Sequence, residues 1–251
     1  MRFCLLAVTC LILAGCQGSY DWGWHILDPR LKAGRENLSF LLDGYGYTLA
    51  LSFLGMFFSL LIGLFLVILD MTKIKILQYF TAFYIAIFRS VPLLVLILWV
   101  YYGLPVVADI NLTPFVASVL ALALADAAFE AEVFRSGIQS IPEGQIDAAD
   151  ALGLTFLQKF RLIILPQALR VVLPTLVNQF VYMLKMSSLA SFIGMTDLTR
   201  LATELVVTAY RPLEIYSFLV LEYLVLILIA TWFARWVERK LRLKNTLEDN
   251  G

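Results

Sequence analysis

The sequence is short of charge, of histidine and of cysteine. Only 15% of its 251 residues are Asp, Glu, Lys or Arg, and 61% are hydrophobic. A soluble domain carries about a quarter charged residues, so an ordinary soluble enzyme is excluded. Nineteen basic and nineteen acidic residues cancel, which leaves no basic face to collect phosphates and argues against a nucleic-acid partner. His25 is the one histidine, and Cys4, Cys10 and Cys16 crowd into the first sixteen residues. No Cys/His metal spacing results, and no metal role is assigned. No glycine is followed by lysine, so the phosphate-binding loop Gly-x4-Gly-Lys-Ser/Thr is absent.

What the sequence has instead is long apolar runs. From Gly44 to Leu69 there are 26 residues without an Asp, Glu, Lys or Arg. About 20 apolar residues cross the bilayer core as a helix, so the chain reads as an all-α integral membrane protein. Five spans are expected, at about Gly46–Leu69, Tyr79–Tyr102, Pro114–Ala131, Val171–Ile193 and Leu213–Ala234. Within lipid, each must satisfy its backbone bonds internally.

Basic residues in the loops set the orientation. With the N-terminal tail outside, the inner side holds eleven: Lys73, Lys75, Arg135, Lys159, Arg161, Arg170, Arg235, Arg239, Lys240, Arg242 and Lys244. The outer side holds five: Arg30, Lys32, Arg35, Arg200 and Arg211. The expectation is an N-terminus outside and a C-terminus inside.

Residues 1–16 form a separate signal-like segment. Arg2 precedes an apolar run, Phe3 to Gly15, of thirteen residues, which suits a secretory signal core better than a span. Leu13, Ala14 and Gly15 before Cys16 resemble a lipoprotein signal, which makes Cys16 a lipidation candidate; an uncleaved anchor and a chance match are the other readings. A periplasmic tail over 17–43, a five-span domain over 44–241 and a cytoplasmic tail over 242–251 complete the expected organisation. The tail aromatics Tyr20, Trp22 and Trp24 suit contact with the membrane surface or with another protein.

The longest inner loop, about Glu132 to Arg170, is the most informative stretch. Ser140 and Glu143 read as a capping box, with Pro142 in the first turn of a short helix. Gly153 should end that helix. Thr155 and Gln158 read as a second box, starting a helix that Pro166 should limit. Ala148 and Ala149 leave the first helix smooth, Ile146 and Leu152 offer apolar anchors, and Asp147 and Asp150 a negative rim. Docking into another protein's groove and lying on the membrane surface are both open on these residues alone.

A resemblance sharpens this. Asp147-Ala148-Ala149, three residues, Gly153, nine residues, Ile163-x-Leu165-Pro166 resembles the EAA loop of ABC importer permeases, Glu-Ala-Ala being the family's usual opening. Phe88 to Leu94, Val100 to Pro105, Ala131 to Ile138 and Leu184 to Gly194 resemble segments of the polar amino acid uptake permeases, the histidine and glutamine group. The likeness covers about Gly44 to Leu241, and five spans are that group's arrangement. Asp147 departs from the leading Glu but keeps its charge; Asp150 stands where a basic residue is common, which leaves the pairing with an ATPase open there. Asp126 and Glu130 stand where uncharged or small residues are usual, and the signal-like start is not a general family feature.

The resemblance implies a permease subunit of the bacterial inner membrane that is not itself an enzyme. It would hold no cofactor; a separate ABC ATPase dimer would use ATP and Mg. A second permease subunit, a periplasmic solute-binding protein and membrane lipid would be its other partners. A polar or charged amino acid would be its cargo, and alternating access its mechanism. Permeation of another small solute and a stand-alone secondary carrier are the alternatives; a lone carrier does not account for the EAA loop. An intramembrane enzyme would need a nucleophile and base that the five spans, without cysteine or histidine, do not offer.

Arg89, Asp126, Lys185 and Glu222 are ionisable residues within the spans. Each costs about 2.5–3.5 kcal/mol at mid-bilayer and should face protein or water. An amino acid zwitterion needs a cation for its carboxylate, from Arg89 or Lys185, and an anion for its ammonium, from Asp126 or Glu222. Interhelical ion pairing is the other reading. Glu130 and Glu132 are expected to be solvated near the inner end of their span. Pro92 should kink the second span beside Arg89.

Overall fold

The computed structural model describes residues 20–72 and 74–248. The signal-like segment with Cys16, Lys73 and the last three residues lie outside these. A short 3-10 turn, Trp24–Leu27, precedes eight helices. They are α1 (Lys32–Asp70), α2 (Lys75–Ser90), α3 (Leu93–Ala108), α4 (Pro114–Gln139), α5 (Glu143–Ala151), α6 (Phe156–Ile193), α7 (Leu198–Ala209) and α8 (Pro212–Glu248). No strand occurs among the described residues.

Four of these, α1, α4, α6 and α8, are long and apolar enough to cross a bilayer. The expected second span is not one straight helix. It is the pair α2 and α3, bent by 103°. The break falls on Val91 and Pro92, both extended (ψ 126° and 132°). Proline's ring drives the preceding residue out of the helical region, and the structure turns the expected kink into a corner.

Helix α1 is 39 residues long and starts at Lys32, well before the expected Gly46. Its buried face carries small and polar residues at helical spacing, Gly44, Thr48, Ser52, Gly55, Ser59 and Gly63, alongside the larger Leu41, Leu51, Met56, Leu66 and Val67. Phe53, Phe57, Leu61 and Phe65 point outward. Lipid is as apolar as these side chains, so membrane helices associate through small residues that let backbones approach. The facing helix α4 matches this with Ala127 and Ala131, whose backbone atoms lie against Gly63, while Ala117 and Ala121 pack against α3. Thr113 caps α4 by accepting from the Val116 amide at 3.3 Å, with Pro114 at the start, the arrangement its missing N–H suits.

Two local expectations are corrected. Ser140 does not open a capping box: it lies in the helical region at the end of α4, where its hydroxyl donates to the Gly137 carbonyl at 2.7 Å. Ending α4 consumes it, and Pro142 takes the cap position of α5 with no side-chain bond. Nor does Pro166 end the next helix. A π turn over Phe160–Ile164, in which the Leu165 amide reaches the Phe160 carbonyl, precedes it. The wider turn shifts the bonding register just where proline offers no N–H, and α6 continues to Ile193.

Candidate functional site

The corner between α2 and α3 opens onto a cavity of about 160 Å³ against α4 and α6. Two of the four candidate charges line it together. Arg89 sits in the last turn of α2, where a cation complements the helix dipole, and Asp126 lies midway along α4. Asp126 is 5% exposed. It accepts from the Ser59 hydroxyl at 2.9 Å and from the Gln179 amide at 2.6 Å, so α1, α4 and α6 meet at one carboxyl. Arg89 forms an ion pair with Glu132 and lies over the Phe129 ring, 5.1 Å from its centroid. The Tyr84 hydroxyl donates to the Leu124 carbonyl at 2.8 Å and holds α2 against α4. Tyr182, Met183 and Leu122 supply apolar wall. The site therefore presents one cation, one anion and an apolar surround, which is the donor set for a small zwitterion.

Lys185 and Glu222 are not part of it. Lys185 is exposed at the end of the α-helical part of α6. Glu222, 4% exposed on α8, lies near Tyr45, whose hydroxyl donates to its backbone carbonyl at 3.5 Å. Glu130 corrects the sequence expectation. It is fully buried, with no hydrogen-bond partner among the described residues for either carboxyl oxygen, because Gly63 lets α1 close over it. Glu132 is half-exposed and paired with Arg89 rather than simply solvated. Glu132, Gln179 and Ser59 carried no sequence signal for this site; Glu132 and Phe129 do share a helix face by their i, i+3 spacing.

At the far end of α4 lies the elbow. Helix α5 ends in a Schellman turn: the Leu154 amide donates to the Ala149 carbonyl at 3.1 Å and the Gly153 amide to Asp150 at 2.9 Å. Gly153 takes φ +69°, a left-handed conformation that glycine adopts without strain. Thr155 and Gln158 form the expected capping box. Asp150 pairs with Lys159 across the turn, which leaves Asp147 and Glu143 as the other exposed acids of α5. Gln167 bonds Gln145. Ala149 is buried at 1% and faces its own chain; Ala148 is exposed. The outward apolar edge is Leu152, Phe156 and Leu157. Ile164 is buried beside Ile141 and Phe160, Ile163 and Leu165 are half-buried, and Pro166 is exposed.

At the opposite end, the tail folds back on the helices. Tyr20 and the Gly23 amide both bond Glu214 of α8, the amide at 3.1 Å. Arg211 bonds the Asp21 carbonyl and stacks 5.8 Å from the Tyr20 ring. Trp22 and Trp24 stay exposed, edge to face at 5.2 Å. Asp197, fully buried, caps α7 by accepting from the Arg200 amide at 3.0 Å. Burial pushes its carboxyl up to about 6, against the pull of the amides it accepts from.

Comparison with known proteins agrees with this architecture. Residues 55–243 match the family described as binding-protein-dependent transport system inner membrane component. The chain is 35% identical to the probable amino-acid ABC transporter permease protein YckA of Bacillus subtilis (strain 168), over 83% of this chain and 92% of that one. It is 33% identical to the arginine transport system permease protein ArtQ of the same organism, over 82% of this chain and 94% of that one. Among solved structures it resembles a chain of an amino acid ABC transporter crystallised with histidines: TM-score 0.76, 37% identity, covering 82% of this chain and 96% of that one.

Proposed function

The chain belongs to the family of binding-protein-dependent transport system inner membrane components, and on that premise we propose that it moves a polar or charged amino acid across the inner membrane. In this reading it is the permease subunit of an ATP-driven importer. The cavity that joins Arg89 to Asp126 carries the proposal. The solute's carboxylate lies on Arg89 and its ammonium on Asp126, with the side chain against Tyr182 and Met183.

The energy enters at the elbow. A separate ATPase subunit binds ATP and Mg, and docks on α5 through Asp147, Ala148 and the exposed Leu152. Gly153 shapes the turn, while Ala149, Ile163, Leu165 and Pro166 join the elbow to α6. The long helix α6 runs from Phe156 beside the elbow to Gln179 and Tyr182 at the cavity. Movement of the elbow is thereby delivered to the solute. Closure of two ATPases shifts two such permeases from inward-facing to outward-facing, provided the ATPase dimer binds the two states with different strength. The tail side, with Trp22 and Trp24, receives a periplasmic binding protein; the elbow side faces the cytoplasm.

The test is uptake of radiolabelled amino acids by proteoliposomes holding this chain with its ATPase and binding protein. Uptake that needs ATP and both partners supports the reading. Equal uptake by the permease alone, driven by an ion gradient, overturns it.

A further inference from the structure

Two cavities lie end to end along α4, and among the described residues Phe129 alone lines both. The first is the Arg89–Asp126 cavity. The second, about 310 Å³, is lined by Glu132, Ser136, Thr175 and Gln179 among others and lies towards the elbow. Asp126 and Ser136 are ten residues apart, about 15 Å along the helix. Two bonds cross the partition beside the Phe129 ring, and each has one member in each cavity. Arg89 of the first pairs with Glu132 of the second. Asp126 of the first accepts from Gln179 of the second at 2.6 Å.

The chemistry of those bonds mirrors a zwitterion. Glu132 offers Arg89 a carboxylate, and Gln179 offers Asp126 an N–H donor. Each is what one end of an α-amino acid would offer. We propose that Glu132 and Gln179 are internal surrogates for the solute, and that the partition they close is its release gate. A solute entering the first cavity displaces both; the ring and the two bonds then yield into the second cavity. As the solute leaves, Glu132 returns to Arg89 and Gln179 to Asp126, and the gate shuts behind it. Arg89 and Glu132 have side-chain exposures of 42% and 44%, and an ion pair so exposed is weak enough to exchange. This inference rests on the Arg89–Asp126 cavity being the solute site.

Glu132→Gln removes the competing carboxylate and keeps the shape. Equilibrium dialysis of the purified full complex, without binding protein, would use a panel of radiolabelled basic, acidic and amide amino acids. The cargo among them should bind Glu132→Gln about two- to fivefold more tightly. The maximal rate of ATP-driven uptake should fall by a similar factor, because release has lost its competitor. Glu132→Asp should restore both values towards wild type. The methyl ester of the same amino acid, which lacks the carboxylate, should gain nothing. Unchanged binding in Glu132→Gln, or weakened binding, overturns the surrogate role. Unchanged binding in Arg89→Gln overturns the cavity itself, so the two failures are distinguishable.

Discussion

Gly63 of α1 lies so close to Glu130 of α4 that a Cβ on the glycine would stand 2.7 Å from the glutamate's own Cβ. The Ala131 amide would be 3.1 Å away, so neither partner has room to give. Gly63→Val should therefore separate the two helices. Overpacking of this kind costs about 1–3 kcal/mol. A lower melting temperature and a lower yield of monodisperse permease should result, read by fluorescence-detected size exclusion after heating. Gly46, which meets nothing within 4 Å, should accept valine without comparable loss.

The two alanines of the elbow should separate docking from folding. Ala148 is exposed, so Ala148→Arg should leave the melting temperature nearly unchanged and sharply reduce the ATPase subunit that co-purifies. Ala149 is buried; an arginine there has no partner and should destabilise the elbow itself by several kcal/mol. Full ATPase recovery with Ala148→Arg would remove α5 from the docking surface.

Asp197 predicts a pH dependence with a definite sign. Its carboxyl stands at about 6 in the folded chain, against about 3.9 in an unfolded one. Between those values the folded state holds a proton that the unfolded state has released. The contribution of Asp197 to stability is therefore fully present below about pH 4 and is lost as pH rises through 6, by roughly 3 kcal/mol in all. Asn caps a helix as well as Asp does and does not titrate. Asp197→Asn should flatten the melting profile across this range and raise the melting temperature at pH 7.5. Asp197→Ala, which loses the cap, should forfeit about 1 kcal/mol of that gain.

Signals confined to a few neighbouring residues were legible in the sequence. Thr155 with Gln158, and Gly153 as a helix stop, are local chemistry and stand in the structure. So are the start of α4 at Pro114 and the break at Pro92. Ser140 was misleading because two helix ends compete for one hydroxyl only two residues before Pro142. The burial pattern of α1 was illegible by hydropathy, since large apolar side chains lie on both of its faces: Leu51, Met56 and Leu66 are buried while Phe53, Phe57 and Phe65 point outward. For the site, the residue types were legible but not their pairing. Arg89 and Asp126 read as complementary charges, yet Glu132 and Gln179 reach them from 43 and 53 residues away. Such contacts arise from how the helices cross, which periodicity in one helix does not encode.

The most direct test is equilibrium binding of the transported amino acid to the purified complex, wild type against Arg89→Gln and Asp126→Asn, with thermal melting as the folding control. Losing a charge-assisted bond is worth about 1.5–3 kcal/mol, so each variant should bind at least about tenfold more weakly while melting near the wild-type temperature. Wild-type affinity in either variant would contradict the assignment of this cavity to the solute.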